Sequence, residues 1–90
     1  MKLHQKGFLL VTLNQALDLW DYQLIGLAFI EYGEVGSYQE RTLRISLDEL
    51  SAAGLIKHIE HKLDTHTKQL LFRYQLTDFG RLRMVDTGLI

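Results

Sequence analysis

The sequence predicts an α+β domain, mostly helical: a three-helix core, a two-stranded β-hairpin and a short C-terminal helix. Three observations predict it. Leu43, Leu47 and Leu50 recur four and three residues apart, which draws one apolar stripe down a helix. Gly54 follows where that helix must stop, in the left-handed conformation that glycine adopts at little cost. Two stretches of extended character then flank the polar run Asp64-Thr65-His66-Thr67, the pattern of a hairpin.

The elements follow in order. Leu13, Leu17, Trp20, Leu24 and Leu27 step by four, three, four and three residues, a sustained helical stripe. Asp18 or Asp21 caps a second helix and divides the stripe into helices over about 8–19 and 22–32, with one long kinked helix as the alternative. Gly33 and Gly36 mark a turn. Ser37 then caps a third helix over about 38–53, and Glu40 completes a capping box. One strand runs from 55 to 63 and the returning strand from 68 to 76. Leu70, Phe72, Tyr74 and Leu76 alternate onto one face of the latter, with Leu71, Arg73 and Gln75 on the other. Thr77 or Asp78 opens the last helix, which frays by Gly88.

Ninety residues, 47% hydrophobic and 23% charged, make one folded domain over 1–90. A chain of this size buries about 60–65% of its unfolded surface, so its core is thin. With no cysteine there is no disulfide, thiol chemistry or Cys-based zinc site. No apolar run approaches the ~20 residues of a membrane span. The early run Phe8 to Val11 breaks at Thr12 and Asn14 without a small-residue cleavage site, so it reads as mature sequence of a cytoplasmic protein.

Net charge is −1, unlike the basic balance of most duplex binders. Its distribution is uneven: residues 1–36 sum to −2 and residues 37–76 to +1.

The residues from 42 to 80 carry a family resemblance. Thr42-Leu43, then Leu47 and Leu50, then Gly54-Leu55-Ile56, then Tyr74-x-Leu76-Thr77-x-x-Gly80 resemble the winged-helix transcription regulators, most closely the PadR-like branch. Asp21-Tyr22-Gln23-Leu24 also falls where that branch opens its second helix. The resemblance covers about residues 20–83 and implies a third helix in the major groove of DNA, a hairpin wing and a homodimer. Two departures stand out. Residues 81–90 are too few for the long C-terminal helix common in the branch, and the hairpin tip lacks its Gly-Arg-rich run.

With the leucine stripe inward, helical geometry turns Tyr38, Arg41, Thr42, Ile45 and Asp48 outward, with Arg44 on the flank. Under the DNA reading Arg41 and Arg44 pair with guanine edges or phosphates, Thr42 donates to phosphate, Ile45 meets a thymine methyl and Gln39 assists. Thr65, His66, Thr67 and Lys68 reach phosphate or a minor groove from the hairpin tip. Replacing Arg41 and Arg44 together by alanine is expected to abolish binding in a folded domain. The plainer reading pairs the arginines with Glu40 and Asp48 on a solvated helix and leaves the tip idle. Outward Ile45 and the acids Glu40, Asp48 and Glu49 equally fit a module that binds protein instead of DNA. Phe8, Leu9, Val11 and Met84 are the surplus apolar residues expected at a dimer interface.

His58, His61 and His66 are close in sequence, but strand alternation sends 58 and 61 to opposite sides and no ligand set is complete, so neither metal nor cofactor is expected. No phosphate loop, zinc-protease motif or nucleophile elbow is present, so catalytic residues are expected to be none and the chain is not read as an enzyme.

Overall fold

The computed structural model describes residues 4–33 and 36–90, apart from the side chain of Ser37. Its elements run α1 (Gln5–Gln15), β1 (Leu19–Trp20), α2 (Asp21–Tyr32), α3 (Ser37–Ala52), β2 (Ile56–Leu63), β3 (Leu70–Leu76) and α4 (Asp78–Asp86). The three strands are antiparallel in the order β1-β3-β2. This is a small α+β fold with four helices among the described residues.

The core lies where α1, α2 and α3 meet the hairpin's base. Leu9, Leu13, Leu24, Leu47, Ile56 and Met84 are the largest fully buried side chains. The stripe of α3 is the inward face expected from its spacing: Leu43, Leu47 and Leu50 are all buried.

The ends of α3 and α4 share one device. Gly54 takes φ 80°, while the N–H of Leu55 reaches the Leu50 carbonyl and that of Gly54 the Ser51 carbonyl. Gly88, at φ 79°, lets Leu89 and itself close α4 on Met84 and Val85 in the same way. These are Schellman closures, in which a left-handed residue satisfies the helix's last carbonyls.

Several sequence expectations change. There are three strands, not two, because α1 ends at Gln15 and Leu19–Trp20 pairs with Arg73 and Tyr74 of β3. A two-residue strand is too short to show a period, so the sequence stripe ran straight through it. Its members separate accordingly: Leu13 and Leu24 are buried, but Leu17 is 81% exposed and Leu27 41% exposed. Asp21 is the first residue of α2 and is 2% exposed, with Trp20 in the cap position. Helix α3 begins at Ser37 with Gly36 in the cap position. The expected capping box rested on the Ser37 side chain, which lies outside the described residues, as do Glu34 and Val35 of the turn.

The hairpin departs from simple alternation. Its register slips between His58 and Glu60, a bulge that leaves Ile59 without an opposite residue. On β3, Tyr74 and Leu76 of the expected apolar face are buried, but at the strand's start Leu70 is 47% exposed and Leu71, on the opposite face, is 7% exposed. Leu71 is covered from the other side of the sheet, where it shares a hollow with Tyr22 and Lys62.

Candidate functional site

The outward face of α3 is the one the leucine spacing predicts. Tyr38 is 72% and Ile45 52% exposed, Arg41 and Asp48 are exposed, and Gln39 and Thr42 are half-buried. Arg41 has no ion pair among the described residues. Glu49, about two turns on, is held by Lys6 of α1 at 3.5 Å.

Arg44 does something else. Its Nη1 donates to Asp21 Oδ2 at 2.9 Å and its Nη2 to Glu40 Oε1 at 3.1 Å. The same Asp21 oxygen accepts the Phe72 N–H at 3.3 Å, and Asp21 Oδ1 accepts the Tyr22 N–H at 2.7 Å. One buried carboxylate therefore joins α2, α3 and β3 through Arg44. Arg44 is a strut of the fold and not a free reading residue. The pairing with Glu40 is the plainer alternative that the sequence offered. Thr42 also changes role, since its hydroxyl donates to the Tyr38 carbonyl at 2.9 Å and is not free to donate to phosphate.

The hairpin tip is built. Asp64 Oδ1 accepts from the backbone N–H of His66 at 2.9 Å and of Thr67 at 3.4 Å, while the Asp64 carbonyl accepts from Lys68 N at 2.8 Å. Thr67 Oγ1 accepts from Gln69 N at 3.3 Å. Lys68 closes the loop at φ 61°, a left-handed conformation unusual for a residue with a Cβ. Thr65, His66, Thr67 and Lys68 all stand exposed.

Helix and tip share one surface. A hollow of about 330 Å³ is lined by Glu40, Arg41, Arg44, Ile45 and Asp48 of α3 together with Gln69 at the hairpin. Gln69, which sequence reasoning passed over, is the joint between the two, and the spacing of β3 alone carried no sign of it. A larger hollow of about 470 Å³ lies between the end of α1, the hairpin's base and α4. Its guanidinium, Arg81, is already engaged by Asn14 and Asp78.

Two more groups emerge only in three dimensions. Arg73 spans Glu60 at 3.1 Å and Asp18 at 3.6 Å. Lys62 Nζ sits 4.4 Å from the Trp20 ring centroid and 5.3 Å from that of Tyr22, and these two rings stack at 6.1 Å.

The expected dimer residues divide. Leu9 and Met84 are 0% exposed and belong to the monomer's own core, so they are withdrawn from any interface. Phe8 and Val11 pack partly buried against that core. The bulge also overturns the expectation that His58 and His61 face opposite sides: both rings lie against Phe72, at 5.1 and 6.5 Å. Among the described residues no group of three or more His, Cys, Asp or Glu side chains is placed to hold a metal ion. No helix among them is long and apolar enough to cross a membrane.

No family model matches the chain, and no curated protein or solved structure matches it either.

Proposed function

We propose that the chain is a winged-helix domain that binds double-stranded DNA as a small cytoplasmic transcriptional regulator, with α3 in the major groove and the β2–β3 hairpin as its wing. The observation that carries this reading is the shared hollow of Arg41, Ile45 and Gln69, which offers helix and hairpin tip to one ligand. Arg41 brings to it a cation with no ion pair among the described residues, beside Glu40, which Arg44 holds, and Asp48; Lys68, next in sequence to Gln69, is likewise without an ion pair among them. Arg41 is then the base-reading or phosphate-pairing residue, Ile45 the apolar contact, and Gln39 and His66 secondary donors. Binding to a labelled duplex tests it: affinity falls steeply with salt and drops in Arg41→Ala, while Arg44 is left in place to keep the fold.

The domain acts as a homodimer in this reading, through α4. Phe79, Leu82 and Val85 stand on one side of that helix, 50%, 58% and 55% exposed, where α1 offers only half-buried side chains. Leu82→Glu is expected to leave a folded monomer in sedimentation equilibrium.

A second reading rests on a specific observation. Tyr38 and Ile45, with Asp48 one turn beyond Ile45, make the helix face apolar and acidic, which suits a protein partner better than phosphate. Under it the duplex does not bind at the lowest salt.

A further inference from the structure

We infer that the far side of the hairpin carries a second phosphodiester contact, centred on Lys62, so that a bound duplex touches both faces of the hairpin; this rests on the DNA reading above. Lys6, Arg44, Arg73 and Arg81 each lie against at least one carboxylate. Lys62 does not. It is seated over the Trp20 and Tyr22 rings, with Nζ 3.4 Å from the Tyr22 hydroxyl.

An aromatic face fixes where an ammonium sits but leaves its full charge and its outward N–H donors unsatisfied. Of the nearby acids, Glu60 is paired with Arg73, and Asp64 accepts the His66 and Thr67 N–H groups on Oδ1 alone. Beside the ammonium, Tyr22, Leu63, Asp64, Thr65 and Leu71 line a hollow of about 410 Å³. It presents a positioned cation, two hydroxyls and an apolar wall, with one carboxylate, Asp64, bound through Oδ1 to the His66 and Thr67 N–H groups. That combination fits a phosphate with its sugar, where a carboxylate-free peptide finds no partner for the charge.

The site carries its own reporter, because Trp20 is the chain's sole tryptophan. A duplex is titrated into the protein while tryptophan emission and the anisotropy of a labelled DNA are read together, for wild type, Lys62→Gln and Lys57→Gln. Lys57, exposed on the same strand and bordering the separate α1–α4 hollow, controls for loss of charge alone. Melting curves establish that the variants are folded. The expected result is an emission change with the same midpoint as the anisotropy. Lys62→Gln then loses that change, binds about tenfold more weakly near 0.1 M salt, and shows a salt slope shallower by about 0.9. Lys57→Gln keeps the wild-type slope. Should the duplex bind with Lys62→Gln matching wild type in slope and affinity, the Lys62 contact is overturned and the α3 reading stands. Absence of duplex binding by wild type at the lowest salt overturns both.

Discussion

Two junctions hold the hairpin to the helices, and they are made of different materials. At the base, Thr77 caps α4 by accepting the Gly80 N–H at 2.9 Å, and its hydroxyl lies 2.7 Å from the Gly54 carbonyl. Its N–H donates to Leu55 O at 3.1 Å, and Gly80 packs so tightly that an added Cβ would stand 2.0 Å from that same oxygen. Higher up, the junction is charge. Asp18 and Asp21 flank the two residues of β1, and each takes an arginine from elsewhere, Arg73 of β3 and Arg44 of α3. The first junction is steric and rests on residue types with conformational demands of their own; the second rests on paired charges. Gly54, Leu55, Thr77 and Gly80, four residues of the motif behind the family resemblance, make the first junction, so they pack the chain and are silent about the partner.

Breaking the charged junction is expected to have the larger effect. Arg44→Ala leaves Asp21, 2% exposed, without its cation and should cost about 3 kcal/mol in denaturant unfolding. Asp21→Asn with Arg44→Met should recover most of that loss, because neutral side chains at both positions remove the buried charge while Asn keeps an oxygen for the Tyr22 and Phe72 N–H groups. A cost below about 1 kcal/mol for Arg44→Ala would mean that the junction is ornamental.

The same region carries a pH signature. Burial, then the carboxylates of Asp48 and Asp21, push the Tyr74 phenol from its ordinary value up to about 12. The folded state keeps this proton where the unfolded chain loses it. The contribution is therefore complete below pH 10 and lost as pH rises to about 12, to the extent of about 2–3 kcal/mol. Tyr74→Phe should flatten the stability profile through that window.

At the steric junction, Gly80→Ala should cost about 2 kcal/mol, despite alanine's better helix propensity, because a backbone carbonyl must move. If thermal unfolding shows Gly80→Ala equal to or above wild type, the close approach is not holding α4. The smallest effect has the opposite sign. Lys68→Gly relieves a left-handed conformation and should stabilise the domain by about 0.5–1 kcal/mol, while weakening any duplex binding through the lost charge.

These contrasts explain what the sequence made legible. The α3 stripe, the Gly54 stop and the Thr77 cap were readable, because each depends on a residue type with a conformational meaning of its own. The helix ends fell within a few residues of expectation for the same reason. β1 was not readable, since two residues have no period and its pairing is decided by Arg73 and Tyr74. Arg44 could be read as a groove contact or as the partner of Glu40, four residues away, while its second partner Asp21 was not visible. The bulge at Ile59 and the seat of Lys62 depend on register, which alternation alone does not supply. The outward α3 residues were read correctly as a surface, yet their chemistry follows from which neighbours neutralise them.

The measurement that bears most directly on the account is duplex binding by anisotropy, from low to moderate salt, for wild type and Arg41→Ala. Arg41 is exposed and unpaired among the described residues, so its loss leaves both junctions intact. The account predicts salt-sensitive binding by wild type and a loss of about tenfold or more in Arg41→Ala with unchanged melting. Wild-type protein that ignores the duplex at the lowest salt, or an Arg41→Ala variant that binds as well as wild type, would contradict it.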